Sequence, residues 1–465
     1  MNHTLTANLE HGSAIQTGSN AEVQAPFWFL AIATVLIASA FIVPLNVAWS
    51  HSTFDDYVDA DATEVNSNEG TASRQILMAT LGLFGLISVV LPGGRKLHLS
   101  GTTGVLCLSY FLWCLLTCLW AEAPDISLKR WIVFACEVLA GLGIARRASP
   151  RQFVWVTWAC TFSWVALGVV AEVTQSTFRP WEGGYRFAGI FHPNEMGGVC
   201  ALLSMSSLYL AHGRGVRNRL MLGMLGVGVV FMIMTGSRTA LAAMLVSYAA
   251  MWLLMTPGPK FVMRSLVAVA AISLFMVASG LGVLDVSQDS VELGRQDNDV
   301  GSLTGRVPLW EELLGYVAER PLLGYGFNGF WTGDRIADIS AVQGWTLSSA
   351  HNVYIDLLLN IGLIGAVVCL TSMVLVLRLA ARLEARHASE GYGFFGMLIV
   401  FALAGGLLET TVGLTWYLSI FGICGTGILA TYDEASEETS TYIEPSPDDL
   451  RFRFRRFARN GGLTR

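Results

Sequence analysis

Charged side chains are scarce along this 465-residue sequence, in which Asp, Glu, Lys and Arg together make up only 14% of the residues. A soluble domain carries about 25% charged residues, because most of its surface faces water. Hydrophobic residues instead make up 53% of the chain, and apolar stretches long enough to cross a membrane recur along it. The composition therefore excludes a soluble globular protein and predicts an all-α, polytopic bundle of about 12 membrane helices.

Features of several other protein classes are also missing. The eight cysteines all lie inside apolar stretches, which excludes a disulfide framework and a zinc site of the usual loop spacing. The sequence contains no P-loop, so it indicates neither a nucleotide cofactor nor a nucleic-acid partner. Its outer loops lack a carboxylate cluster suited to Mg²⁺ or Mn²⁺. We therefore expect no metal and no cofactor.

Twelve apolar stretches have the length and composition of membrane spans. Residues Met1 to Gln24 contain no Lys or Arg, so we interpret the first stretch as a retained span and not as a secretory signal. The predicted spans are residues 27–49, 75–92, 101–121, 130–146, 152–172, 196–212, 219–235, 239–256, 262–281, 352–377, 392–410 and 412–432.

Lys and Arg cluster in the short loops on one side of these spans, whereas the first loop on the other side is acidic. Because basic loops stay in the cytoplasm, this alternation predicts a multi-pass protein of the bacterial inner membrane with both termini inside. The predicted parts are a cytoplasmic tail (1–26), helices 1 to 9 (27–281), a periplasmic loop with an amphipathic helix over Arg306–Arg320 (282–351), helices 10 to 12 (352–432) and a cytoplasmic tail (433–465). The second tail ends in a basic, aromatic segment, Arg451–Phe457, that is typical of binding to anionic membrane lipids.

Four residues stand out at the predicted outer edge of the inner membrane: Arg186, Arg238, Arg306 and His351. Three are cations and one is a histidine, whereas the orientation rule places basic residues on the cytoplasmic side. A guanidinium pairs with phosphate in a fork geometry, so three arginines together suit a diphosphate. Each arginine taken alone also fits a side chain that snorkels to the interface or pairs with a loop carboxylate such as Glu182.

The histidines and the remaining polar residues leave alternatives open. His351 suits a general base, a hydrogen-bond anchor or an interfacial side chain. His192 is a second candidate base, although His-Pro-Asn before a helix is equally a capping turn. Further supporting candidates are Asn194, Asn352, Trp310, Tyr325 and Glu409. Tryptophans of the large loop (Trp310, Trp331 and Trp345) suit stacking on sugar rings as well as anchoring at the interface.

These segments resemble the superfamily of O-antigen ligases and Wzy-type polysaccharide polymerases. The resemblance covers roughly residues 185–370 and rests on segments 186–194, 236–239, 304–310, 320–326, 351–352 and 360–365. Within the superfamily, the chain looks most like the succinoglycan-type exopolysaccharide polymerases, although Pro193-Asn194 stands where many of them have Lys-Asn.

The resemblance implies an inverting, metal-independent glycosyltransferase that uses an undecaprenyl-diphosphate-linked oligosaccharide donor and a glycan acceptor. In that reading, Arg186, Arg238 and Arg306 bind the diphosphate and His351 acts on the acceptor hydroxyl. A chain-length regulator and export machinery are candidate partners. The alternatives are an O-antigen ligase that transfers glycan to a lipid A core and, from another class, a polysaccharide transporter or assembly component. A transporter predicts related half-repeats and polar groups near mid-membrane, whereas here the charges collect at the outer edge.

Overall fold

The computed structural model describes residues 24–42, 72–95, 101–211, 215–254, 306–344, 347, 349–387, 390–408, 422–423 and 425–426. The helices in these ranges are α1 (Phe27–Ile42), α2 (Ala72–Val90), α3 (Thr102–Thr117), α4 (Pro124–Arg147), α5 (Pro150–Thr174), α6 (Pro193–Leu210), α7 (Val216–Met234), α8 (Arg238–Leu254), α9 (Arg306–Glu319), α10 (Gly333–Gln343), α11 (Val353–Arg386) and α12 (Tyr392–Gly405). A 3-10 helix, Cys118–Trp120, follows α3.

The all-α membrane fold is confirmed. Among the residues that the structure describes, four helices are long and apolar enough to cross a membrane, namely Thr102–Trp120, Pro150–Thr174, Val216–Met234 and Val353–Arg386, and four shorter helices are also apolar. Ten of the twelve predicted spans coincide with helices. The span 262–281 and the tail 433–465 lie outside the described residues, as do all but residues 422–423 and 425–426 of the span 412–432 and all but the last residues of the tail 1–26.

Helix α6 occupies the middle of the bundle, because 15 of its 18 residues are buried. It packs against α5, α7, α8 and α12. Small residues permit these close contacts: a side chain on Gly197 would collide with Ser237, and one on Gly228 would collide with Ser204. The central position of α6 brings the loops that precede it and the α7–α8 turn to the same end of the bundle.

The basic loops meet at the opposite end. The backbone N–H of Arg95 donates to the Arg146 carbonyl at 2.8 Å, and Gln152 exchanges two hydrogen bonds with the backbone of Ala25, at 2.8 and 2.9 Å. Gly391, before α12, lies directly against Pro150. The bundle therefore has a basic end, formed by these contacts, and an opposite end that carries the remaining connections, which we call the outer end after its predicted orientation.

Helix α11 is broken at Gly362, whereas the sequence predicted one uninterrupted span over residues 352–377. Gly362 has φ +67° and ψ −179°, and a Cβ there would collide with the Leu322 carbonyl. The loop 320–326 fills the break: the N–H of Leu363 donates to the Pro321 carbonyl at 2.9 Å, and the N–H of Tyr325 donates to the Leu359 carbonyl at 2.7 Å. Backbone groups freed by the break are thus satisfied by another chain segment.

The described part of the large loop forms a small layer on the outer end. Helix α9 coincides with the predicted amphipathic helix over 306–320, and α10 is a second helix that was not predicted. Both pack into one apolar cluster with the first turns of α11, and its members include Leu309, Leu313, Tyr325, Phe330, Ile336, Ile339, Leu347, Ala350, Ile355 and Leu359. This cluster and the broken helix together fix the layer to the bundle.

Candidate active site at the outer end

Arg186 lies on a turn, residues 185–189, that packs against the α7–α8 connection; we refer to it as the Arg186 turn. Its Nε donates to the Thr235 carbonyl at 2.8 Å, and its Nη2 donates to Asn194 Oδ1 at 2.8 Å. Gly236, with φ +64°, leaves room for the guanidinium, since a Cβ there would lie 3.2 Å from Arg186 Nε. Two residues later, Arg238 begins α8. The structure thus brings the Arg186 and Arg238 segments together.

Glu172, at the end of α5, holds the Arg186 turn from behind. Its Oε1 accepts hydrogen bonds from the N–H groups of Ala188 at 2.9 Å and Gly189 at 2.7 Å. Its Oε2 accepts a hydrogen bond from the Tyr185 hydroxyl. Burial and this hydrogen bond raise the pKa of Tyr185 well above its ordinary range, so the phenol remains a donor. This role of Glu172 was not predicted, although a carboxylate at the end of an apolar span is a signal for a functional role.

His192 and Asn194 belong to the start of α6. His192 is the N-cap residue, and its Nδ1 accepts a hydrogen bond from the Asn194 N–H at 3.2 Å, with Pro193 in the first turn. This geometry matches the capping alternative for His192. Asn194 has the second role of contacting Arg186 through its side-chain oxygen.

His351 lies at the centre of a turn formed by Ala350, His351 and Asn352, which we call the His351 turn. Its φ of +48° is a left-handed value, uncommon for a residue other than glycine. The neighbours fix the turn. Asp356 Oδ1 accepts hydrogen bonds from the Ala350 N–H at 3.3 Å and from Trp331 Nε1 at 2.8 Å. Asn352 caps α11 by accepting from the N–H groups of Tyr354 and Ile355.

Arg306 and Trp310 lie one turn apart at the start of α9, and therefore on the same face. Trp310 Nε1 donates to the Ala350 carbonyl at 2.8 Å. Because Ala350 precedes His351, this bond holds the start of α9, including Arg306, beside the His351 turn. Arg306, Trp310, His351 and Asn352 are all half-buried, so their side chains lie at the surface of the outer end without being fully solvated.

The end of α12 connects the two halves of the site. The N–H of Val353 donates to the Gly406 carbonyl at 2.8 Å, and Asn352 Nδ2 donates to the Leu407 carbonyl at 3.1 Å. On its other side, Gly405 and Phe401 line a narrow crevice with Asn194, Gly198, Ser237, Thr239, Ala240 and Ala243. A continuous path of contacts therefore runs from Arg186 through α12 to His351.

Other predicted residues lie elsewhere. The Tyr325 hydroxyl donates to Glu319 Oε2 at 2.9 Å at the far end of α9, and burial, with that bond, raises its pKa to about 12. Trp331 is buried, with only 7% of its surface exposed, and its indole N–H is used by Asp356, so its ring is not available to a sugar. Glu409 and Trp345 lie outside the described residues. Within the described ranges, no group of three or more His, Cys, Asp or Glu side chains could hold a metal ion.

Residues 221–370 match the family described as O-antigen ligase (Wzy_C). This segment runs from α7 into α11 and contains Arg238, Arg306 and His351. Over these residues, about a third of the chain, the sequence is similar to the O-antigen ligases. The resemblance to the superfamily of O-antigen ligases and Wzy-type polymerases is thereby confirmed. Arg186 precedes the matched segment but is bonded to Thr235 within it.

A curated relative adds to this assignment. The chain is similar to the exopolysaccharide production protein ExoQ of Rhizobium meliloti (strain 1021), with 25% identity over 321 residues that cover 64% of this chain and 70% of ExoQ. Together with the apolar helices, the two matches support a multi-pass membrane enzyme of polysaccharide processing.

Proposed function

We propose that this protein polymerises oligosaccharide repeat units, carried on undecaprenyl diphosphate or a similar lipid diphosphate, into exopolysaccharide or O-antigen. One observation carries the proposal: a hydrogen bond joins the Arg186 turn to the segment that bears Arg238, another joins the start of α9 to the His351 turn, and both pairs of segments adjoin the end of α12. A cluster of cations beside a histidine suits a reaction in which a diphosphate leaves and a sugar hydroxyl attacks.

The proposed site faces the periplasm. Support comes from the other end of the bundle, where Arg95, Arg146 and Arg147 lie on adjoining connections, because such basic ends remain in the cytoplasm. Donor repeat units assembled on a lipid would then be joined on the side from which the polymer is exported.

In the proposed reaction His351 takes the proton from an acceptor hydroxyl, and the hydroxyl oxygen forms a bond to the anomeric carbon of the donor. The bond between that carbon and the diphosphate oxygen breaks, and the electron pair leaves with the lipid diphosphate. Attack from the face opposite the leaving group inverts the anomeric configuration. Arg186, Arg238 and Arg306 bind the diphosphate and stabilise its growing negative charge.

This scheme requires no metal ion, because the arginines supply the positive charge that a divalent cation supplies in many transferases. Activity is therefore expected to persist after thorough chelation. Strict rescue by one divalent cation would contradict the scheme, and Glu182, Glu195 and Asp285 would be the first ligands to test.

A ligase that transfers glycan to a lipid A core is the second candidate. The observation that favours it is the match of residues 221–370 to the family described as O-antigen ligase. Both reactions use the same leaving group and differ only in the acceptor, so the same four residues serve either one.

Purified protein reconstituted in liposomes with a lipid-diphosphate oligosaccharide separates these functions. A ladder of longer lipid-linked glycans from the donor alone supports the polymerase. Transfer only when lipid A core is added supports the ligase. Movement of the donor across the bilayer without a new glycosidic bond would contradict both and favour the transporter.

A further inference from the structure

Glu172 is one of the few carboxylates buried in the described bundle, with 7% of its surface exposed. Three donors from one short segment converge on it: the N–H groups of Ala188 and Gly189 and the hydroxyl of Tyr185. Hydrogen bonds to an ionised acceptor are about twice as strong as neutral ones. The carboxylate is thus well suited to fix the backbone of the Arg186 turn.

These donors stand on both sides of Arg186 in the chain. Tyr185 precedes it, and Ala188 and Gly189 follow within three residues. The turn is also tied to α7, because the Phe187 N–H donates to the Met234 carbonyl at 2.9 Å and the Phe187 ring lies 4.8 Å from that of Phe231. Backbone anchors on either side leave the Arg186 side chain directed at Thr235 and Asn194.

The close approach of the turn to α5 has a steric basis. Gly189 has φ +59°, and a Cβ on it would lie 2.8 Å from the Cα of Gly168 and 2.6 Å from the terminal methyl of Met196. Only glycine therefore lets the turn lie deep enough for its N–H groups to reach Glu172. The carboxylate and the glycine work as one unit.

We infer that Glu172 is a positioning residue that holds Arg186 in place for binding of the donor diphosphate. It acts through the backbone and does not touch the substrate. The inference rests on the proposed function for its kinetic readout. It also predicts a structural effect that is independent of any activity.

The kinetic test combines Glu172→Ala with Arg186→Ala and, separately, with Arg306→Ala. Glu172→Ala should raise the donor KM by roughly tenfold to a hundredfold, as loss of hydrogen bonds to a buried charged acceptor does, while kcat changes little. In an Arg186→Ala background the same change should alter KM by less than about twofold. In an Arg306→Ala background, Glu172→Ala should raise the donor KM by the same factor as it does in the otherwise wild-type protein. Equal effects in the two backgrounds would overturn the inference.

Conservative variants guard against a simple folding defect. Glu172→Gln keeps an oxygen for the two N–H groups and should restore most of the affinity, so a defect as large as that of Glu172→Ala would overturn the positioning role. Glu172→Asp keeps the charge but retracts it by one methylene, and should raise the donor KM if Glu172→Ala fails to fold. Glu182→Ala removes an exposed carboxylate of the same loop, paired with Arg179, and should leave KM unchanged.

Hydrogen exchange separates a failure of this inference from a failure of the proposed function. The amides of Ala188 and Gly189 should exchange slowly in the wild-type protein and faster in Glu172→Ala, whether or not the protein makes polymer. If the amides exchange faster in Glu172→Ala than in the wild type, but the wild type forms no glycosidic bond, only the proposed function is removed. Unchanged exchange in an active protein would remove the role of Glu172 alone.

Discussion

In the Arg186 turn, the carboxylate of Glu172 accepts hydrogen bonds from two backbone N–H groups, and in the His351 turn the carboxylate of Asp356 accepts one from Ala350. The turns differ in where the left-handed backbone falls. In the Arg186 turn Gly189 adopts the left-handed conformation, at little cost for a glycine. In the His351 turn His351 itself adopts it. A residue other than glycine in that region costs about 1–3 kcal/mol and persists only where its surroundings impose it.

This difference separates two kinds of positioning. In the proposed mechanism Arg186 needs only to reach a flexible, charged ligand, so fixing its flanking backbone is sufficient. A base must lie within hydrogen-bond reach of one proton, and His351 is correspondingly fixed by Trp310, Asp356 and Asn352 at once. We therefore expect perturbation of the first turn to weaken binding and perturbation of the second to slow the reaction.

The largest expected effect is that of His351→Asn. Asparagine tolerates left-handed backbone, so the turn should survive while the imidazole is lost, and polymer formation should fall by about a hundredfold to ten-thousandfold. Polymer yield and binding of the lipid diphosphate are measured on the same purified variant, with His351→Ala alongside. Normal yield would remove His351 from the mechanism, and joint loss of yield and binding in both variants would make it a donor ligand.

Arg306→Lys should have the next largest effect. Lysine keeps the charge but loses the planar fork that binds two phosphate oxygens, so activity should fall by about tenfold or more. The matched control is Arg320→Lys, because Arg320 lies in the same outer layer, 3.0 Å from Glu122 and 42% exposed, where a lysine can replace it. Full activity of Arg306→Lys at normal abundance would leave Arg306 with an interfacial role.

Asp356→Ala is the direct counterpart of Glu172→Ala. It removes the acceptor for Ala350 and leaves Trp331 without its partner, so kcat should fall by about tenfold while the donor KM changes little. Steady-state kinetics over a range of donor concentrations measures both. A rise in KM with an unchanged kcat would contradict the proposed difference between the two turns.

Trp310→Phe should have the smallest effect. It keeps the ring in the apolar cluster but removes one hydrogen bond, worth about 1 kcal/mol, to the Ala350 carbonyl, so kcat should fall only a few-fold. Trp120→Phe serves as the control, because its indole N–H donates to the Leu323 carbonyl at 3.2 Å, in the loop that fills the α11 break. An equal loss of kcat in both variants would indicate general loosening of the outer layer.

The sequence by itself determined the class of fold, because the length and spacing of apolar stretches follow from the thickness of the membrane. It also determined the sorting of charges and the helix over 306–320, whose apolar residues recur at helical spacing. The orientation rule also pointed to the candidate residues, because it places basic residues on the cytoplasmic side and these four lie at the predicted outer edge of the inner membrane. They are Arg186, Arg238, Arg306 and His351.

Only the tertiary structure decided which of these residues meet and what holds them. The break at Gly362 depends on the loop 320–326 that lies against it. The spacing of apolar residues within one helix does not reveal a contact with a distant segment of the chain. Glu172 was not recognised because two of its donors, the N–H groups of Ala188 and Gly189, are backbone groups that the residue types do not reveal. Whether a carboxylate binds a backbone turn or a ligand depends on burial and direction, and these exist only once the helices are packed.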